Sequence, residues 1–159
     1  MKVKIINLSK FPLPEYSTKG AAGIDLKVDF ERTFLPFNGP SSYQLLPTSY
    51  QLSPKEIFIF KTGLFVEIPE GYELQIRSRS GLSTKGIIIA NSPGTIDSDY
   101  RGEIGLIISN ISSKSYFIND GDRLAQAVLK KVEKIEWEQV EKLEETERGK
   151  GGYGHTGVK

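Results

Sequence analysis

Between Asn91 and Glu103 the chain reads Asn-Ser-Pro-Gly-Thr-Ile-Asp-Ser-Asp-Tyr-Arg-Gly-Glu. Four turn formers, Asn91, Ser92, Pro93 and Gly94, lead into Asp97, Asp99, Tyr100, Arg101 and Glu103. Apolar runs flank the stretch: Ile87, Ile88 and Ile89 before it, and Ile104, Leu106, Ile107 and Ile108 after it. This layout predicts a hairpin held between core strands. A rigid hairpin can present backbone amides and carbonyls to a small molecule, with a carboxylate and an aromatic ring at its edge. The plainer alternative is a solvated turn in which Asp99 and Arg101 pair weakly.

A second cluster has different chemistry. Arg77, Arg79, Ser80, Ser83, Thr84 and Lys85 crowd around Gly81. Guanidinium groups, hydroxyls and free amides suit phosphate oxygens, though no Walker A sequence is present. A solvated basic turn would look the same. Arg123 and Gln126 could join this pocket. Asp25, beside Ala22 and Gly23, is either a strand-start cap or part of a site. Gly149, Gly151 and Gly154 match G-x-G-x-x-G formally, but no βαβ unit surrounds them. With Arg148 and Lys150 they read as a flexible flap over an anion or as a disordered tail.

The elements that position these groups are mostly short strands. Residues 1–10 read as an edge strand and 11–23, with Pro12, Pro14, Gly20 and Gly23, as a loop. Leu64, Val66 and Ile68 alternate with Phe65 and Glu67; Tyr72, Leu74 and Ile76 alternate with Glu73, Gln75 and Arg77. Ile68-Pro69-Glu70-Gly71 between them reads as a type I turn, so the two runs predict a hairpin with one buried face. Ser42-Tyr43-Gln44-Leu45-Leu46-Pro47 recurs as Ser49-Tyr50-Gln51-Leu52-Ser53-Pro54. The prolines exclude a coiled coil, and the pair reads as a tandem duplication lengthening a surface connection. The turn Asn119-Asp120-Gly121-Asp122 leads into Arg123–Leu129, where periodicity leaves helix and strand open. Residues 130–147 are charged, with Ile135, Trp137 and Val140 as possible anchors.

Composition narrows the function. The 159 residues suffice for one core, and 38% hydrophobic with 26% charged residues is a globular balance. No linker separates two cores, and many short strands with Gly and Pro turns indicate an all-β sandwich or barrel. No apolar run suits a membrane span or a signal peptide, so an intracellular, cytoplasmic protein is expected. With no cysteine and only His155, thiolate zinc sites and His-Cys-Cys deaminase sites are excluded. Any metal would be Mg²⁺ on oxygens, largely those of the substrate. A net charge of +1 argues against a nucleic-acid partner.

Five stretches, in order, resemble the motifs of the trimeric dUTPase family: Ala22-Gly23-Ile24-Asp25-Leu26; Arg79-Ser80-Gly81-Leu82; Gly94 to Gly102; Gly121-Asp122-Arg123-Leu124-Ala125-Gln126; and Arg148 to Gly154. The resemblance spans residues 22–157, and its third and fifth motifs are specific. Ser78 stands where the family usually has Pro, Tyr153 where Phe is usual, and the loop at 38–54 is long.

The resemblance implies a single-domain jelly roll (β-clip), with residues 1–147 as core and 148–159 as a flexible glycine-rich C-terminal lid. It implies a homotrimer with three shared sites, and Mg²⁺-assisted hydrolysis of dUTP to dUMP and pyrophosphate. That reaction limits uracil incorporation into DNA and supplies dUMP for dTMP synthesis. By family role, Asp97 activates the attacking water. Asn91 and the backbone of Gly94, Thr95 and Ile96 read uracil, and Tyr100 packs under the deoxyribose. Arg79, Ser80, Gly81 and Gln126 meet the phosphates, and Asp25 supports the phosphate and metal end indirectly. Arg148, Gly152, Tyr153, His155 and Thr156 belong to the lid, with Tyr153 over the base. Asp99 and Arg123 take structural parts, as an ion pair or a strand-end anchor. The related dCTP deaminase needs a glutamate where Ile107 stands, and isoleucine cannot move protons. A catalytically silent binding module on the same fold is the rival from another class.

Overall fold

The computed structural model describes residues 1–35 and 46–152. The first copy of the tandem repeat, from Ser42 to Leu45, and Tyr153, His155 and Thr156 lie outside them. The described strands are β1 (Lys4–Asn7), β2 (Ile24–Lys27), β3 (Ser49–Leu52), β4 (Ile57–Glu67), β5 (Tyr72–Ser78), β6 (Ile87–Ile89), β7 (Gly94–Ile96), β8 (Glu103–Asn110), β9 (Tyr116–Asn119) and β10 (Arg123–Lys131). Two short helices, α1 (Phe30–Phe34) and α2 (Ser80–Ser83), accompany them. The strands form two four-stranded antiparallel sheets, β1-β4-β8-β6 and β2-β10-β5-β7, with a small β3-β9 pair. This is the expected all-β jelly roll. No helix among the described residues is long and apolar enough to cross a membrane.

Alternation dictates the core. Leu64 and Val66 of β4, Ile104, Leu106 and Ile108 of β8, and Leu26, Ile76, Ala125 and Ala127 of the other sheet are all buried. Fully burying such an aliphatic side chain contributes about 1.5–3 kcal/mol. Arg123–Leu129 resolves as strand, and β1 is an edge strand as expected.

The two hairpin expectations need correction. β4 and β5 belong to different sheets. Their connection is a tight turn, but it carries the chain across the sandwich. Its hydrogen bond runs from the Tyr72 N–H to the Pro69 carbonyl (3.2 Å), and Gly71 has φ +79° at the third position. That is the type II signature rather than type I, because only a residue free of Cβ clash settles there readily. Likewise, β6 and β8 pair with each other, Ile89 opposite Ile108. The segment between them crosses to the other sheet and adds β7 to β5.

The duplicated segment is not only a surface connection. Its second copy forms β3, and Leu52 is fully buried. Tyr50 packs against Phe58 (4.4 Å between ring centroids) and edge-on to Phe60 (5.4 Å). Phe30 and Phe34 extend the same aromatic group. Five-residue α1 starts at Asp29, whose Oδ1 accepts from the Glu31 and Arg32 N–H groups. Its Oδ2 accepts from Ser9 Oγ (2.8 Å) and the Lys10 N–H (3.1 Å). Four donors compensate a carboxylate that is almost wholly out of water. The helix stops at Leu35, held extended ahead of Pro36.

Burial, and then the hydrogen bond that Tyr50 donates to Glu56, push the Tyr50 phenol from 10.0 up to about 12. The native state therefore holds this proton more tightly than the unfolded chain. The resulting stabilisation is complete below pH 10 and is lost as the pH rises through about 12. Tyr50→Phe should flatten the fall of melting temperature across that window. An unchanged slope would remove Tyr50 as its source.

Candidate active site

A polar cleft of about 490 Å³ opens where β2, β10 and the end of β5 meet. Strand register builds it: Gln126 lies opposite Asp25 on one side and Arg77 on the other. Residues three apart on a regular strand face opposite ways. A bulge between Arg123 and Ala125 breaks that rule, and Arg123 and Gln126 line the same cleft. Asp25 Oδ1 accepts from Arg79 Nε (2.9 Å), and its Oδ2 lies 3.5 Å from Arg123 Nη1. Arg79 also donates to the Arg123 carbonyl (2.8 Å). One carboxylate thus holds two guanidinium groups at the cleft wall. Ser80 and Gly81 follow as the first turn of α2, where backbone N–H groups lack intrahelical acceptors. Arg79, Arg123 and Lys85 on the lining outnumber Asp25 and Asp122. The balance favours an anion.

Gln126 donates from Nε2 to the Ser78 carbonyl (3.1 Å). A Cβ on Gly23 would come within 2.5 Å of Gln126 Oε1. Gly23 therefore leaves space for this amide, a part that the sequence offered only as a small residue beside Asp25. Arg123, read both as a possible pocket member and as a structural anchor, pairs with Asp25 and lines the cleft.

The carboxylate-bearing turn lies elsewhere. Gly94 is opposite Ile76 and Ile96 opposite Leu74, so the chain reaches Asp97 at the level of Glu73. Glu73 and Arg79 are six residues apart, roughly 20 Å along a strand. Within one chain the structure brings Asp25, Arg79, Ser80, Gly81 and Gln126 together and leaves Asp97 far from them. Asn91 lies across Gly94, where an added Cβ would meet its Nδ2 at 2.9 Å, so these two expected neighbours do meet. Thr95 and Asp97 are exposed. The plain Asp99–Arg101 pair is not what holds this turn: Arg101 donates instead to the carbonyls of Ser98 (2.7 Å) and Tyr100 (2.8 Å).

Residues 132–147 form neither helix nor strand. Ile135, Trp137 and Val140 are 71%, 86% and 51% exposed, so the expected anchors do not pack on their own chain. Arg148 donates to the Gly151 carbonyl (3.0 Å) in a local turn and does not line the cleft, nor does Gly152.

The family model for dUTPase matches residues 41–157. A deoxyuridine 5'-triphosphate nucleotidohydrolase of Finegoldia magna is 49% identical, covering 99% of each chain. Among solved structures, a variant of the dUTPase of Staphylococcus bacteriophage 80alpha with dUpNHpp superposes with a TM-score of 0.78. It is 29% identical and covers 99% of each chain. A variant of the dUTPase from phage phi11 of S. aureus, described with a structural Mg(II) ion, gives a TM-score of 0.71 at 28% identity. It covers 91% of this chain and 99% of its own. Fold and cleft define a β-clip jelly roll with a polar cleft in which cationic side chains outnumber acids. The chain belongs to the dUTPase family of nucleotide hydrolases.

Gly23 has no positive φ, so its backbone admits alanine. Gly23→Ala should keep the melting temperature while displacing the Gln126 amide. Loss of one such polar contact should weaken nucleotide binding by roughly tenfold. Calorimetric titration with dUpNHpp checks this, and full affinity would mean that Gln126 does not meet the ligand.

Proposed function

We propose that this chain hydrolyses dUTP to dUMP and pyrophosphate, with Asp97 as the base that activates water. The observation carrying this reading is the cleft in which Asp25 sets Arg79 and Arg123 beside Ser80, Gly81 and Gln126. Those groups suit a triphosphate. The water oxygen bonds to the α-phosphorus and its proton passes to the Asp97 carboxylate. The bond from the α-phosphorus to its bridging oxygen breaks, and pyrophosphate leaves. A carboxylate beside a polyanion accepts a proton more readily than an isolated one. Asn91 and the backbone from Gly94 to Ile96 would pair with the uracil edge, and Tyr100 would lie under the deoxyribose. Turnover would limit uracil in DNA and supply dUMP for dTMP synthesis, in the cytoplasm.

The separation of about 20 Å between Asp97 and Arg79 along β5 is too long for one α-phosphate to meet both in a single chain. A second copy would bring its Asp97 to the cleft of the first, as in a homotrimer with three shared sites. The exposed Ile135, Trp137 and Leu143 support an arm that packs on another copy. Residues 1–147 would be the core and 148–159 a closing lid. There Arg148 and Gly152 would meet the phosphates and Tyr153 the base, with His155 and Thr156 beside them.

Mg²⁺ fits the cleft in one way. Both Asp25 oxygens face guanidinium groups, and the described residues hold no cluster of three or more candidate ligands. The ion would ride on the substrate's phosphate oxygens, with Asp25 contributing indirectly. When bound it would offset phosphate charge.

Asp97→Asn keeps the side chain's shape and removes the base. Hydrolysis, assayed as pyrophosphate release, should fall by about 10²-fold or more while dUpNHpp still binds. Near-normal turnover would exclude Asp97 as the base and leave the silent-module alternative to be judged on the wild-type rate.

A further inference from the structure

Tyr100 does not hang free at the end of the turn. Its hydroxyl donates to the Glu103 carbonyl (3.1 Å), folding the ring back over Gly102. A Cβ on Gly102 would fall inside the van der Waals envelope of the Tyr100 hydroxyl and Cζ, and 2.9 Å from Cε2. The ring can rest there only because residue 102 has no side chain.

Glu103, which supplies the carbonyl, is itself fixed. Arg32 reaches its carboxylate in a forked contact, Nε to Oε1 at 3.3 Å and Nη2 to Oε2 at 2.9 Å. The two side chains are only 17% and 12% exposed. The Gly63 N–H adds a third bond to Oε1 (2.8 Å). Gly63 lies where the β4–β8 register shifts and has φ +72°, which few other residues would adopt. Arg32 lies in α1, whose start is tied to the β1 end by buried Asp29. The ring thus connects to the rigid sandwich through Glu103, although Tyr100 is exposed.

We propose that Gly102 and Glu103 form a seat that positions the Tyr100 ring and thereby sets the enzyme's choice between deoxyribose and ribose. This rests on the assignment of Tyr100 to the sugar. A ring held flat leaves a fixed space beside the 2′ carbon. A ring driven off its seat leaves room for a 2′-hydroxyl. Gly102 and Glu103 are positioning residues, acting through Tyr100.

The test compares kcat/KM for dUTP and UTP in Gly102→Ala, Tyr100→Ala and the double variant, with melting temperatures alongside. Gly102 has no positive φ, and what an added methyl meets is a movable side-chain end. Gly102→Ala should therefore fold and melt close to the wild type. Its preference for dUTP over UTP should fall by roughly tenfold or more. In the Tyr100→Ala background, adding Gly102→Ala should change the preference no further, because the two act as one unit. Glu103→Gln, which keeps the carbonyl but loses the charged pair, should shift the preference the same way. It also serves as the probe if Gly102→Ala does not fold. Full discrimination in Gly102→Ala, or independent effects in the double variant, would overturn the seat. A Glu103→Gln protein with lower melting temperature but unchanged preference would reduce that pair to a structural brace and overturn its part. If Tyr100→Ala alone leaves the preference intact, the assignment of Tyr100 to the sugar fails and the seat with it. If Tyr100→Ala relaxes the preference and Gly102→Ala does not, only the seat fails.

Discussion

The register of β7 on β5 governs the rest of this molecule. With Gly94 opposite Ile76 and Ile96 opposite Leu74, Asp97 emerges beside the start of β5. The cation-rich cleft gathers at the other end of β5, where Ser78 meets Ala125. Sheet hydrogen bonds cannot slip by one residue without turning core side chains to water. Gly94 of β7 is buried opposite buried Ile76, Ile96 packs against the core and Thr95 between them is exposed, so the register is fixed. The two chemical groups are consequently held apart by the same pairing that makes the core.

That separation gives the remaining features a common purpose. The cleft is prepared in advance: Asp25 positions Arg79 and Arg123, and the bulge in β10 puts Arg123 and Gln126 on one wall. The turn at the far end is also prepared, with Asn91 across Gly94 and Tyr100 on Gly102. Preorganised groups need little rearrangement when charge develops. The arm beyond β10 leaves its own chain with Trp137 uncovered, a cost in apolar exposure that contact with another copy would remove.

Much of the candidate site was legible because its residues lie in short runs. Arg79 to Gly81 fall within one turn, Gly94 to Tyr100 within one short strand and the turn after it, and local chemistry marks them. Strand identity along 64–76 was legible from alternation. Strand partnership was not: Pro69 and Gly71 announce a reversal, but nothing local says that β4 and β5 enter different sheets. Tyr50 read as surface because its ring partners Phe34, Phe58 and Phe60 lie outside the duplicated stretch, on α1 and β4. α1 is too short for helical periodicity, although Asp29 ahead of Glu31 and Arg32 was a usable start signal. Arg123 stayed between a place in the pocket and a structural part because the bulge that turns it into the cleft leaves no trace in composition. Trp137 looked like an anchor because a large aromatic usually buries its ring, yet no described residue of this chain covers it.

The central claim is that no single chain holds a complete site. It is tested most directly by mixing two inactive proteins, Asp97→Asn and Arg79→Ala, after unfolding and refolding them together. Each chain then carries one intact half. If sites form between copies, randomly mixed trimers regain about a quarter of the wild-type sites, since each site draws its two halves from different subunits. Pyrophosphate release should rise to that level in the mixture and stay at background in either protein refolded alone. A mixture that forms assemblies yet stays at background would contradict the account, since it would mean that Asp97 and Arg79 serve one site from the same chain.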